Sequence, residues 1–156
     1  MNKNKNGSEQ RGFRGYSTHH VFSGFRIPVS VQNLIMRDYA TRYKLFFKLG
    51  VDEFDFPNCY VRLMSLLQEL PTLEGIIMCS LFMLPEDKNL RQSIYDAFFK
   101  SGTRLHLVME KIVVEDLKDV IKVEELIQIS STFSDCPTSI PKELLPPLSL
   151  KDSFCS

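Results

Sequence analysis

The chain has 156 residues, 44% of them hydrophobic, which is enough apolar surface for one domain with a buried core. Nineteen Lys and Arg side chains balance nineteen Asp and Glu side chains, so the chain lacks the net positive charge that drives nonspecific nucleic-acid binding. No apolar run approaches the roughly 18 to 20 residues that span a bilayer. We therefore expect a cytoplasmic protein, with no membrane span and without nucleic acid as a ligand.

The sequence divides into three parts by composition. Residues 1–11 are polar and aperiodic and predict a disordered leader, residues 12–131 predict a single domain, and residues 132–156 form a Ser- and Pro-rich tail. The segment ELLPPLSL (143–150) could dock on the domain or on a second subunit, or belong to a disordered end. The four cysteines are widely spaced, which predicts free thiols, and we predict neither a metal nor a cofactor.

Short apolar segments alternate with amphipathic ones along the predicted domain, a pattern typical of βα units. It predicts an α/β fold, a three-layer sandwich around a small, mostly parallel sheet of about four strands in the order 2-1-3-4. The predicted strands are 12–17, 44–51, 75–82 and 103–110, and the predicted helices begin near Pro28, Pro57, Asp87 and residue 115.

Two helices have apolar residues at helical spacing that predict their buried faces. The first predicted face is Val31, Leu34, Ile35 and Tyr39, and the last is Leu117, Val120, Ile121 and Ile127.

Polar residues follow each predicted strand, and in an open parallel sheet ligands bind where the carboxyl ends of the strands meet. Ser17, Glu53, Ser80 and Glu110 are therefore expected to converge on one cleft. Glu53 and Glu110 could act as an acid and a base, or simply solvate turns.

Ser17 is followed by Thr18, His19 and His20. A hydroxyl needs a neighbouring proton acceptor to become a nucleophile, so Ser17 with either histidine could form a catalytic pair. Such a Ser-Thr-His-His segment is more often a polar turn that caps the next element.

Arg26 and Arg37 flank the start of the first predicted helix, which also carries Gln32. A guanidinium binds phosphate or carboxylate through two parallel hydrogen bonds, so the two arginines could hold an anion. Arg37 could instead form a surface ion pair with Asp38 or Asp87.

The order of RGYS, IPVSVQNLIMRDYA, GIIMCSLFMLPED and GTRLHLVME resembles the catalytic domain of serine recombinases over roughly residues 12–115. The resemblance implies a resolvase- or flavodoxin-like fold and places Ser17 near the position of the nucleophile that attacks DNA phosphate. Arg14 lies one residue further upstream than the matching arginine. In the segment that resembles L-D-R-L-S-R, Met83 and Glu86 occupy both arginine positions.

A second resemblance is to the sporadic carbohydrate cluster protein family of bacteria. It is carried by RGY (14–16), by the run from Pro28 to Tyr39 and by the run from Gly75 to Asp87. It implies a role in cell-surface polysaccharide synthesis, with a sugar, nucleotide sugar or sugar acid as ligand.

The sequence leaves open whether the chain is an enzyme. The first hypothesis is an enzyme or ligand-binding accessory protein of surface-carbohydrate synthesis. The alternative is a noncatalytic protein-interaction module on a degenerate recombinase-like scaffold, able to form homo-oligomers. The candidate catalytic residues are Ser17, Glu53 and Glu110, and the candidate ligand-binding residues are Arg26, Gln32, Arg37 and Ser80.

Overall fold

A computed structural model describes residues 10–21 and 26–134, which form a five-stranded sheet with four α-helices. The strand order is β2-β1-β3-β4-β5, with the first four strands parallel and β5 antiparallel to β4. The strands are β1 Phe13–Ser17, β2 Val51–Asp52, β3 Gly75–Met78, β4 Arg104–Leu107 and β5 Ile112–Val114, and the helices are α1 Val29–Arg42, α2 Val61–Gln68, α3 Lys88–Ser101 and α4 Leu117–Ser134.

The predicted α/β class is confirmed, and the parallel strands have the predicted order 2-1-3-4. The fifth strand was not predicted. The run 103–110 reads as one strand, but β4 ends at Leu107 and Lys111 adopts a left-handed conformation with φ 56°. That turn reverses the chain, so Ile112 pairs with Leu107.

The second strand was predicted too long. Only Val51 and Asp52 pair as a strand, and Phe47 contributes one isolated bridge to Phe13. The residues before β2 end helix α1 instead of forming a strand. Lys44 has a left-handed φ of 55°, and the Leu45 amide donates a hydrogen bond to the Ala40 carbonyl oxygen.

The two faces of the sheet are covered unequally. Helix α1 covers one face, where Met36 and Ala40 pack on Phe13 and Ile77. The larger core lies on the other face and draws buried residues from α2, α3 and α4. Alternation along each strand assigns neighbouring residues to opposite cores.

The apolar face predicted for α1 is wrong in part. Met36 and Ala40 are buried, whereas Val31 and Leu34 are exposed. A Cβ on Gly15 would lie 3.2 Å from Met36 Cε, so glycine in β1 allows this methionine to approach the sheet.

The buried face predicted for α4 also needs correction. Val120 and Val123 are buried, but Leu117 and Ile121 are exposed. Helix α4 runs three residues past the predicted end of the domain, to Ser134. The predicted leader up to residue 9, the tail from 135 onwards with ELLPPLSL, and two of the cysteines lie outside the described residues.

Among the described residues, Cys59 and Cys79 are free thiols. Burial raises the pKa of Cys79 to about 11, so this thiol stays protonated. None of the helices in the described ranges is both long and apolar enough to cross a membrane.

Candidate functional site

The side chains that follow the parallel strands lie along one edge of the sheet, here named the carboxyl rim and defined by Ser17, Asp52, Glu53, Ser80 and Glu110. Tyr16 is level with Val51 of β2 and with Met78 of β3, so the chain leaves all three strands at the same edge. The strand ends therefore lie at one edge of the sheet, while the predicted convergence of Ser17, Glu53, Ser80 and Glu110 on one cleft stays a prediction. The rim divides into two hydrogen-bonded clusters.

Ser17 belongs to the first cluster and has no exposed surface. Its hydroxyl donates a short hydrogen bond to Asp52 Oδ1 and lies 3.5 Å from the Val51 carbonyl oxygen. Asn33 Nδ2 lies 3.4 Å from the same Asp52 oxygen and also donates to the Val29 carbonyl. The hydroxyl is thus held among acceptor oxygens, in a local environment that is anionic rather than cationic.

His20 is not the partner of Ser17. Its Nε2 lies 2.9 Å from the Phe56 carbonyl oxygen, and its ring packs edge-on against Tyr60. The His20 amide is 3.2 Å from Thr18 Oγ1, the local contact of a polar turn.

Glu53 is the rim residue that belongs to neither cluster, because it is buried and its carboxylate lies at the start of α2. Its carboxylate accepts from the backbone amides of Arg62 and Leu63 at 3.0 and 3.1 Å and from the Tyr16 hydroxyl at 3.1 Å. A carboxylate at a helix N-terminus satisfies amides that have no partner within the helix and interacts favourably with the helix dipole. Burial and the nearby Glu53 carboxylate raise the pKa of Tyr16 far above its usual value, so its hydroxyl stays protonated.

Ser80 and Glu110 form the second cluster. Ser80 Oγ donates to Glu110 Oε1 at 2.7 Å, and the Leu81 amide donates to Glu110 Oε2 at 3.0 Å. Ser80 Oγ also accepts from the Phe82 amide at the start of the short 3-10 helix Leu81–Met83. The carboxylate therefore ties the β4–β5 turn to the segment that follows β3.

Gln32 lies next to the rim and fixes the loop after β1. Its side-chain amide donates to the carbonyl oxygens of Thr18 and Ile27, each at 2.7 Å, and accepts from the Thr18 amide. Gln32 is completely buried, so every contact it makes is with the protein itself.

The two arginines predicted to share an anion are not brought together. Arg26 forms an exposed ion pair with Asp55 at 3.0 Å. Arg37 stacks over the Phe47 ring, 5.5 Å from its centre, and Phe47 pairs with Phe13 at the opposite end of β1 from Ser17. The two arginines therefore do not form the predicted anion-binding site. Neither surface partner predicted for Arg37 pairs with it, because Asp38 bonds Arg42 and Asp87 caps α3.

Asp52, the last residue of β2, is not among the candidate site residues predicted from the sequence. The alternation of a strand supplies the missing signal, since Asp52 and its neighbour Glu53 must point to opposite faces. Only Asp52 can then reach Ser17.

His106 of β4 is buried on the α1 face. Its Nδ1 lies 2.9 Å from the Tyr39 hydroxyl, while Nε2 has no partner among the described residues. Burial lowers the pKa of His106 to about 4, so the imidazole is neutral at physiological pH.

The fold is that of serine recombinase catalytic domains, as comparison with solved structures shows. The N-terminal catalytic domain of TP901-1 integrase has a TM-score of 0.56 at 13% identity, over 78% of this chain and 96% of that one. A resolvase family site-specific recombinase from Streptococcus pneumoniae also scores 0.56, at 10% identity, over 78% and 90%. The catalytic domain of ISC1926 TnpA, an IS607-like serine recombinase, scores 0.48 at 15% identity, over 78% and 82%.

No family model matches the chain, and no curated protein matches it. The predicted resemblance to recombinases is thus confirmed as a likeness of fold, while nothing supports the sporadic carbohydrate cluster family. The predicted role in carbohydrate biosynthesis is wrong, because the structures that share this fold are recombinase domains. The same finding contradicts the prediction of a sugar ligand and the prediction that nucleic acid is not a ligand.

Proposed function

We propose that this chain is a noncatalytic protein-interaction module built on the serine recombinase fold. The observation that carries the proposal is the state of Ser17, whose hydroxyl is buried and bonded to the Asp52 carboxylate. A nucleophile that attacks a phosphodiester must reach the phosphorus atom, and a hydroxyl without exposed surface cannot reach it.

The electrostatics around Ser17 also oppose phosphoryl transfer. Such reactions need cations or aligned donors where negative charge develops on the phosphate oxygens. Ser17 is instead in contact with two acceptors, the Asp52 carboxylate and the Val51 carbonyl. A phosphate brought to this hydroxyl would be repelled by Asp52 at the distance of closest approach.

Arginines that could supply the missing charge are engaged elsewhere or replaced. Arg14 Nη1 bonds Glu69 Oε2 at 2.9 Å, beneath the opposite face of β1 from Ser17. By the resemblance to recombinases, Met83 and Glu86 stand where that family has arginines. Met83 is buried and Glu86 is an exposed carboxylate.

An interaction role is supported by apolar side chains that the fold leaves exposed. Leu117, Ile121 and Ile129 of α4 and Phe54 and Phe56 beside the rim are all large, apolar and exposed. Single exposed apolar residues are ordinary, but several on one helix are typical of an interaction surface. A cytoplasmic location is part of this proposal.

The experiment is an assay for covalent protein–DNA adducts. Wild-type protein and S17A are incubated with supercoiled plasmid and end-labelled DNA, then denatured and run on a gel beside an active serine recombinase. We expect no adduct from either protein. A wild-type adduct that S17A lacks would overturn the proposal, whereas DNA retained without an adduct would add nucleic acid to the partners of a noncatalytic module.

A further inference from the structure

Helix α4 has a buried side and an exposed side. The buried side packs on the large core and carries the ion pair of Glu124 with Arg91 at 2.7 Å. The exposed side of α4 is defined here by Leu117, Ile121 and Ile129, which are 65%, 56% and 50% exposed. At about 100° per residue, these three side chains fall within an arc of roughly 120°. They therefore form one apolar stripe along the helix.

An open recess lies at the amino end of this stripe, between the last turn of α3 and the start of α4. It has a volume of about 370 Å³ and is lined by Phe99, Asp116, Leu117 and Lys118. Asp116 serves as a cap for α4, because its carboxylate accepts from the Lys118 amide at 2.8 Å. The recess thus offers a ligand the apolar surface of Phe99 and Leu117, with the Lys118 side chain at its edge.

The chain itself contains an apolar segment of matching chemistry. The segment ELLPPLSL (143–150) has four leucines around a Pro-Pro pair and begins with the carboxylate of Glu143. Consecutive prolines favour an extended polyproline conformation, and such segments bind in shallow grooves that contain aromatic side chains. The leucines would contact Leu117 and the Phe99 ring, and Glu143 would lie near the ammonium group of Lys118.

The length of chain between α4 and this segment allows the contact. Helix α4 is about 26 Å long from Leu117 to Ser134, at about 1.5 Å per residue. The eight residues 135–142 span about 26 to 29 Å when extended, which is enough to return along the helix to the recess. A segment tethered by so short a connection has a high effective concentration, which favours its binding over that of a separate molecule.

From these observations we infer that residues 143–150 bind along the exposed side of α4 in the same molecule and fill the recess beside Phe99. The inference rests on the proposed interaction role and adds its regulation, because a partner that binds this side of α4 must first displace the segment. Burial of the leucines against the stripe removes apolar surface of both from water, and this drives the contact.

The test is hydroxyl-radical footprinting of the full chain, which measures how fast each side chain is oxidised in solvent. L144D/L145D places two carboxylates in the apolar contact and should release the segment, so the oxidation rate of Phe99 should rise at least about threefold. T138D/S139D is the matched control, since it adds the same charge to residues that only connect the segment to α4. It should leave the rate of Phe99 unchanged.

A substitution on the helix tests the same contact from the other side. L117D places a carboxylate in the recess, and a carboxylate in the first turn of a helix is compatible with the helix dipole. The oxidation rate of Leu148 should rise at least about threefold in L117D. L34D, at a leucine of α1 that is 67% exposed, should leave it unchanged. Circular dichroism checks that each variant is folded.

Two results would overturn the inference. The first is a Phe99 side chain that is oxidised as fast in wild type as in L144D/L145D, because the segment would then cover nothing. The second is protection of Phe99 that grows with protein concentration, because the segment would then come from a second copy. Neither result bears on DNA adducts, so the failure of this inference and that of the noncatalytic proposal are separable.

Discussion

The carboxyl rim and the exposed side of α4 differ in whether their side chains find partners within the protein. At the rim, Ser17 bonds Asp52 and Ser80 bonds Glu110, so each hydroxyl is paired within the protein. On α4, Leu117, Ile121 and Ile129 each keep half or more of their surface in solvent. In this chain the strand ends thus form internal hydrogen bonds, while one side of a helix keeps large apolar side chains in solvent.

Substitution of Glu53 is expected to have the largest effect on the free energy of unfolding, and it tests whether the rim has a structural role. In E53A the amides of Arg62 and Leu63 and the Tyr16 hydroxyl lose their acceptor in the interior, which should lower the free energy of unfolding by about 3 kcal/mol. Urea denaturation measures the change. E86A is the control at an exposed glutamate, expected within about 0.5 kcal/mol of wild type.

Glu124 and Glu125 sharpen the comparison within α4, because Glu124 bonds Arg91 whereas the neighbouring Glu125 is exposed. E124Q should cost about 2 kcal/mol, since Arg91 would keep its buried charge without a carboxylate partner. E125Q should change the free energy of unfolding by less than about 0.5 kcal/mol. Equal losses in both variants would contradict the assigned orientation of the helix.

The ion pair between Arg91 and Glu124 should make the free energy of unfolding depend on pH. The hydrogen bond from Arg91 lowers the pKa of Glu124 below its usual 4.5. Because the pKa of Glu124 is lowered in the folded state, the contribution of the ion pair to the free energy of unfolding is present above pH 4.5 and is lost as the pH falls below it. Denaturation between pH 6 and 3 should therefore show a steeper acid loss in wild type than in E124Q.

Much of the fold could be predicted because it rests on local signals. The apolar run after Gly75 predicts a buried strand, and Asp87 and Gly102 bound α3 as a cap and a left-handed terminus with φ 65°. The antiparallel β5 could not be predicted in this way. Its turn depends on Lys111 in a left-handed conformation. Lysine is not a residue that favours this conformation, so the sequence does not indicate the turn.

The site was harder to predict than the fold, since its contacts join distant parts of the chain. Proximity at the strand ends could be expected for Ser17 and Ser80, but their partners depend on register, which assigns Asp52 to Ser17 and turns Glu53 towards α2. The faces of α1 and α4 were misjudged for a related reason. Apolar periodicity predicts an apolar stripe but not its partners, and on α4 the buried side also holds Val123 and the ion pair of Glu124 with Arg91.

The most direct measurement tests whether the Ser17 hydroxyl can react with DNA. Covalent protein–DNA adducts are quantified for folded, full-length wild type and S17A beside an active serine recombinase. The account predicts no adduct from either protein, because the Ser17 hydroxyl has no exposed surface and bonds Asp52. An adduct that wild type forms and S17A lacks would contradict the account, because the hydroxyl at the end of β1 would then be a nucleophile.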